Sequence, residues 1–271
     1  MGMKKKAIMA LQALVVVFVC AFLVHAGVRT QSLAGAASPP FLRTGLQTLQ
    51  YSETMVCTKA EPAAVPAAAE GKKLIALTFD DGPNEKHTRQ VLDILEKEDV
   101  RATFFVIGVH IKANPAILRQ TAQAGHQIGS HCWGHKDLTK LTPSALEKEL
   151  ADTSALIADI TGQAPTCLRP PLGAQNSAVL QAVTRANMRM VLWCVDPADW
   201  RGPPAAATAT HIINAAKDGD IVLMHDTQGN TVTALRTIIP ALRAKGFYFV
   251  TVDEMLALRP TEEQAIRFLR G

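Results

Sequence analysis

An α/β fold with parallel strands is predicted for residues 72–271, and three observations predict it. Short apolar runs alternate with amphipathic stretches, the pattern of parallel strands covered by helices. Proline and glycine punctuate the amphipathic stretches at the places where helices start and stop. Ionisable residues fall just past the ends of five of the seven apolar runs, where such sheets gather their functional groups. Seven strand–helix units suit a barrel with one strand fewer than the usual eight, closed or partly open. A doubly wound open sheet is the competing topology.

The first run, Leu74–Phe79, is too short and too β-like for a helix. It leads into Asp80-Asp81-Gly82-Pro83, where Gly82 and Pro83 turn the chain. Neighbouring side chains alternate along a strand, but the rule lapses at its end, so both acids can reach one pocket. Two crowded carboxylates repel, and the stretch therefore asks for a metal, an arginine or both. Further strands are expected at Ala102–Ile107, Gln127–Ser130, Thr166–Leu168, Met190–Val195, Ile221–Met224 and Phe247–Val250. Helices are expected at His87–Glu98, Pro115–Ala124, Pro143–Ile160, Ser177–Ala186, Ala205–Lys217 and Thr231–Lys245. In the third helix Leu146, Leu150, Thr153, Ile157 and Ile160 recur at helical spacing and form a core-facing stripe. Asn114-Pro115 and Thr142-Pro143 read as helix starts; Gly125, Gly162 and Gly246 read as stops.

Before this domain, Lys4-Lys5-Lys6 precedes an apolar run from Ala7 to Val28. Residues 1–28 read as an uncleaved signal anchor that leaves the remainder outside the cytoplasm, with a cleaved signal peptide as the rival. Residues 29–71, rich in alanine and proline, read as a linker. Three of the lysines behind the formal charge of +4 belong to the leader, so the domain is near neutral. No basic, aromatic-interleaved patch suggests nucleic acid. Cys57, Cys132, Cys167 and Cys194 show no C-x-x-C spacing, which excludes a zinc knuckle. Their even number permits disulfides; Cys167 and Cys194 lie on neighbouring strands, but a buried parallel pair disfavours a bridge between them.

The groups past the strand ends are Asp80 and Asp81, His131 with His135, Arg169, Asp196 with Asp199, and His225 with Asp226. A helical turn over His131-x-x-x-His135 puts both imidazoles on one side. With Asp81 they form a two-histidine, one-carboxylate set that leaves a metal position open. Zinc suits the set best, while cobalt, nickel, iron and manganese stay open. Arg169, stiffened by Pro170 and Pro171, can orient a carboxylate. His225 near Asp199 has the makings of a proton donor of raised pKa. His126 reads as a loop residue, and His87, His110 and His211 carry no assigned role. Trp193 reads as core and Trp200 as a pocket wall.

Five stretches in this order resemble the motifs of the polysaccharide deacetylases, the carbohydrate esterase family that shares the chitooligosaccharide deacetylase domain. They are Thr78-Phe79-Asp80-Asp81-Gly82-Pro83, His131-Cys132-Trp133-Gly134-His135, Arg169-Pro170-Pro171-Leu172-Gly173, Asp196-Pro197-Ala198-Asp199-Trp200 and Ile221-Val222-Leu223-Met224-His225. The resemblance covers residues 72–258. It implies a distorted (β/α) barrel of seven or eight strands. It also implies that Asp80 is the general base, that Asp81, His131 and His135 hold the metal, and that Arg169 holds the base. By the same resemblance Asp199 is expected to tune the acid His225, the backbone of Leu172 to serve the oxyanion, and Pro171, Leu172, Trp200 and Leu223 to line the substrate pocket. The implied reaction is metal-dependent removal of N-acetyl groups from an envelope polysaccharide, with peptidoglycan the first candidate. The alternatives are another acylated glycan, such as chitooligosaccharide or O-acetyl xylan, and a non-catalytic glycan-binding module. Two departures stand out. Leu172 replaces the family's usual tyrosine, which puts the substrate in question. Cys132 replaces the usual serine or threonine and is either a silent small residue or an oxidation-sensitive thiol beside the metal.

Overall fold

The computed structural model describes residues 67–69 and 71–258; the expected anchor (1–28), most of the expected linker and residues 259–271 of the expected domain lie outside the described residues. Strand β1 (Lys73–Asp80) is followed by α1 (His87–Lys97), β2 (Thr103–Val106), α2 (Gly108–Ala113), α3 (Pro115–Gln123) and β3 (Gln127–Ser130). Then come α4 (Pro143–Thr161), β4 (Cys167–Leu168), α5 (Ser177–Arg185), β5 (Arg189–Met190) and α6 (Ala205–Ala215). The chain continues through β6 (Asp220–His225), α7 (Gly229–Ala244), β7 (Phe247–Phe249) and α8 (Val252–Leu258). Single 3-10 turns at Leu138–Lys140, Pro171–Gly173 and Asp199–Arg201 interrupt the connections. Among the described residues no helix is long and apolar enough to cross a membrane.

The seven strands lie in the order β5-β4-β3-β2-β1-β6, with β7 beside the first residues of β1. Every pair is parallel. Between the two ends of this order a single bridge, Val195 to Val222, is the seam. The sheet is thus a curled, barely closed barrel and not a doubly wound open sheet.

The pleat of β1 shows how the core is divided. Ile75, Leu77 and Phe79 pack outward against Val91 and Leu95 of α1 and Leu235, Ile238 and Leu242 of α7. The rings of Phe79 and Phe104 stack at 5.0 Å between centroids. Leu74 and Ala76 point the other way and join Phe105, Cys167, Val191 and Ile221 inside the curl. Thr78 and Asp80 continue this inner row, which is why a charged group can follow an apolar strand into the interior.

Helix starts and stops follow local chemistry. The Thr142 hydroxyl accepts from the Ala145 N–H at 3.3 Å, so α4 begins on a side-chain cap with Pro143 behind it. It ends at Gly162, whose φ of 79° is the left-handed conformation glycine adopts without strain. The structure departs from the expected elements in two places. The strand expected over Met190–Val195 keeps ladder pairing only at Arg189–Met190. The helix α2 was not foreseen.

Candidate active site

The side chains of interest gather at or just past the carboxyl ends of the strands. Asp80 is the last residue of β1 and Asp81 the first beyond it, with a left-handed φ of 74°. That kink interrupts the pleat, and both carboxylates line one cavity of about 370 Å³. His131, His135, Pro170, Leu172, Trp193, Asp196, Trp200, Leu223 and His225 share its wall.

The turn after Asp81 is held from several sides. The Asp81 carbonyl accepts from His110 Nδ1 at 2.7 Å, and the Gly82 carbonyl accepts from the Ile107 N–H at 2.9 Å. A Cβ on Gly82 would lie 2.3 Å from a carboxylate oxygen of Asp226, so only glycine fits there. Asp226 is fully buried and accepts from the Thr88 hydroxyl at 2.6 Å. Burial first, then the neighbouring Asp81 and Asp80 charges, push the Asp226 carboxyl up to about 7, against the Thr88 hydrogen bond.

Arg169 is fully buried. Its Nη1 donates to Asp80 Oδ1 at 2.7 Å and to the Thr78 hydroxyl at 2.8 Å. Its Nη2 and Nε reach the carbonyls of Leu192 and Val191, at 3.0 and 3.4 Å. The guanidinium lies 4.2 Å from the Phe105 ring centre. One oxygen of Asp80 is thereby fixed. The other lies 3.7 Å from His131 Nε2.

His131 Nδ1 donates to the Arg169 carbonyl at 2.7 Å, which turns Nε2 toward the acids. Asp81 Oδ1 lies 3.6 Å from that nitrogen and 3.4 Å from His135 Nε2. The three ligand atoms lie within 4.8 Å of one another, and Asp81 Oδ1 is a buried oxygen without a hydrogen-bond donor. A carboxylate oxygen and two imidazole nitrogens converging on one point fit a divalent cation. Burial pushes the His131 imidazole below its ordinary value, which favours the neutral form a ligand needs. The expected helical turn is absent. Cys132 and His135 have left-handed φ of 65° and 52°, and this irregular loop, not helical spacing, brings the rings to 5.0 Å.

Across the cavity, His225 Nδ1 donates to Asp199 Oδ1 at 2.7 Å, and the other Asp199 oxygen accepts from the His225 backbone N–H at 2.8 Å. The Thr231 hydroxyl also donates to Asp199. Burial works to lower His225, but the hydrogen bond and charge of Asp199, with the charges of Asp80 and Asp81, outweigh it and raise the imidazole to about 9. The two histidines are therefore pushed apart, one toward neutrality and one toward the cation.

The structure decides several further readings. Pro171 is buried, and it is its neighbour Pro170 that lines the cavity. Trp193 is half-buried: it packs against the inner core cluster, as expected, and also lines the cavity. Of the two readings of Cys132 the silent one holds: burial, then the Glu149 charge, push the thiol far above the usual range, and it packs with Leu146 and Leu150. Cys167 is an unpaired buried thiol, so no bridge to Cys194 forms. Sequence reasoning missed Thr231 and Glu149, gave His110 no role, and placed Asp226 at a strand end without assigning it one. Of these, Glu149 left a signal, an acid sitting inside the apolar stripe of α4.

The family model for polysaccharide deacetylase matches residues 67–191. A peptidoglycan-N-acetylglucosamine deacetylase of Bacillus cereus is 39% identical over 190 residues, covering 68% of this chain and 89% of the relative. The peptidoglycan-N-acetylglucosamine deacetylase PgdA of Listeria monocytogenes is 36% identical over 225 residues. That match takes in 82% of this chain and 47% of the relative, so the chain spans about half the length of that protein. The solved structure of the peptidoglycan deacetylase PdaC from Bacillus subtilis is 36% identical, with a TM-score of 0.67 over 73% of this chain and 96% of that one. The chain belongs to the polysaccharide deacetylase family.

Proposed function

We propose that this protein is a metal-dependent deacetylase that removes N-acetyl groups from amino sugars of peptidoglycan. The carrying observation is the opposition of the two histidines. His131 offers a neutral Nε2 beside Asp81 and His135, while His225 is raised to about 9 on the other side of the same cavity. The names of the Bacillus cereus, Listeria and Bacillus subtilis relatives support the substrate.

Asp81, His131 and His135 would hold the cation, zinc in the first place, which when bound supplies Lewis-acid polarisation of the amide carbonyl and of the attacking water. Asp80, with one oxygen tied to Arg169, keeps the other free to take the water's proton as oxygen attacks the carbonyl carbon. Leu172, held at a left-handed φ of 61°, contributes its N–H to the oxyanion. His225, whose Nδ1 is engaged by Asp199, gives the Nε2 proton to the leaving nitrogen as the C–N bond breaks. Acetate and a free amine are the products. Leu172, 72% exposed, and Trp200, 52% exposed, put apolar surface at the cavity mouth, against which a sugar face can pack.

Residues 72–271 form the catalytic unit in this reading, and residues 1–28 tether it to the outer face of the membrane, near the wall. Acetate release from peptidoglycan fragments and from chitooligosaccharide, with and without zinc after chelation, tests the proposal. Metal-dependent release from peptidoglycan is expected. Release from chitooligosaccharide alone moves the substrate and keeps the chemistry, and binding without turnover of either would leave a glycan-binding module. Fractionation of cells with the full chain tests the tether, which a wholly secreted, shortened product would refute.

A further inference from the structure

The loop that carries both metal histidines is clamped on two sides. On one side the first residues of α2 take its carbonyls: the Gly108 N–H donates to Cys132 O at 2.9 Å and the Val109 N–H to Trp133 O at 3.0 Å. On the other side one side chain takes its amides. Glu149 Oε2 accepts from the Trp133 N–H at 2.9 Å and from the Gly134 N–H at 3.0 Å. Glu149 Oε1 meets Lys136 Nζ at 3.1 Å, just past the second histidine. Glu149 is only 6% exposed, on the core-facing stripe of α4 where an apolar residue would pack without cost.

Burying a carboxylate is unfavourable unless its oxygens are satisfied. Here the charge-assisted bonds that satisfy it go to consecutive amides between His131 and His135. The same stretch is strained, with left-handed φ at Cys132 and His135, so its shape depends on outside restraint. We propose that Glu149 is a positioning residue of the metal site. Its carboxylate holds the loop in the shape that brings both imidazoles onto Asp81, and thereby sets metal affinity without touching the metal or the substrate. The inference rests on the metal site assigned above.

The test is zinc affinity of the full chain, measured in detergent by competition with a chromophoric chelator, alongside thermal melting of the metal-free protein. Glu149→Ala is expected to weaken zinc binding by about ten- to hundredfold. Glu149→Gln keeps an oxygen that can accept both N–H groups, so its affinity should stay within about threefold of the wild type. Lys136→Ala, which leaves the carboxylate in place, should behave likewise. Glu149→Asp withdraws the carboxylate by one methylene while keeping its charge, and should lose affinity at little change in melting temperature. It carries the test if Glu149→Ala does not fold. Wild-type affinity in a folded Glu149→Ala, or in Glu149→Asp, overturns the inference alone. Equal losses in Glu149→Gln and Glu149→Ala would make the effect one of charge, and overturn positioning. A wild-type chain that takes no zinc overturns the metal site and this inference with it.

Discussion

His126 precedes β3 and His131 follows it, and both rings are buried, yet they do opposite things. His126 lines the larger cavity, about 580 Å³, at the amino ends of the strands with Arg119, Thr166 and Asp253. Its Nδ1 accepts from the Ala102 N–H at 3.2 Å, and burial, then the Arg101 charge, push it down to about 4. His131 faces the smaller cavity. Its Nδ1 donates to a carbonyl, so the lone pair of the other nitrogen is turned to Asp80 and Asp81. One backbone partner is an amide and the other a carbonyl, and that choice sets opposite tautomers at the two ends of one strand. The lesson is that volume does not mark a site; converging acids and the direction of one hydrogen bond do.

The largest expected effect lies at the His131 end. Asp80→Asn should lower acetate release by about a thousandfold, the middle of the range for removing a general base. Binding of peptidoglycan fragments, read by calorimetry, should survive. Turnover within tenfold of the wild type would remove Asp80 from the base's role.

Asp199→Asn should come next. The His225 imidazole loses the hydrogen bond and charge that raise it to about 9, so its acidic form is lost at lower pH. The alkaline limb of the pH–rate profile should move down by about one unit or more. An unmoved limb would mean that another group supplies the proton.

Asp226 extends the comparison to a buried group at the site end that takes no part in the proposed chemistry. Its folded pKa of about 7 exceeds the ordinary carboxyl value, so its contribution to stability is fully present below that ordinary value and is lost as pH rises through 7. Asp226→Asn should therefore melt higher than the wild type at pH 8, by up to roughly 4 kcal/mol of stability, and show little gain at pH 4. A pH-independent difference would break this reading. The smallest effect on rate belongs to His126→Leu. It leaves the Ala102 N–H unpaired at a cost of about 1–3 kcal/mol but should keep turnover within about twofold. A large loss of turnover there would erase the distinction between the two cavities.

Much of this was legible in the chain. Strand β1, its acids, and the histidine at the end of β6 follow from an apolar run meeting polar residues at a turn. Residues 191–195 were not legible as they stand. The carbonyls of Val191 and Leu192 serve the buried Arg169 and not a neighbouring strand, a demand set by a residue more than twenty positions away. The loop from His131 to His135 misled for a related reason. Spacing of four residues suggests a helical turn, but clamps from α2 and Glu149 hold left-handed backbone there, and neither clamp shows in the loop's own sequence. The α2 helix is six residues long, too short for a periodic pattern.

The pairing of β1 with β6 bears on how the protein is made. Thr78 donates to the carbonyl of Val222, a contact 144 residues apart, and Asp80 lies in register with His225. The first strand to leave the ribosome must wait for nearly the whole domain before its central partner arrives. A chain still being synthesised therefore holds Asp80 and His225, the proposed base and acid, apart. Hydrolytic power arrives only with completion, a safeguard written into strand order.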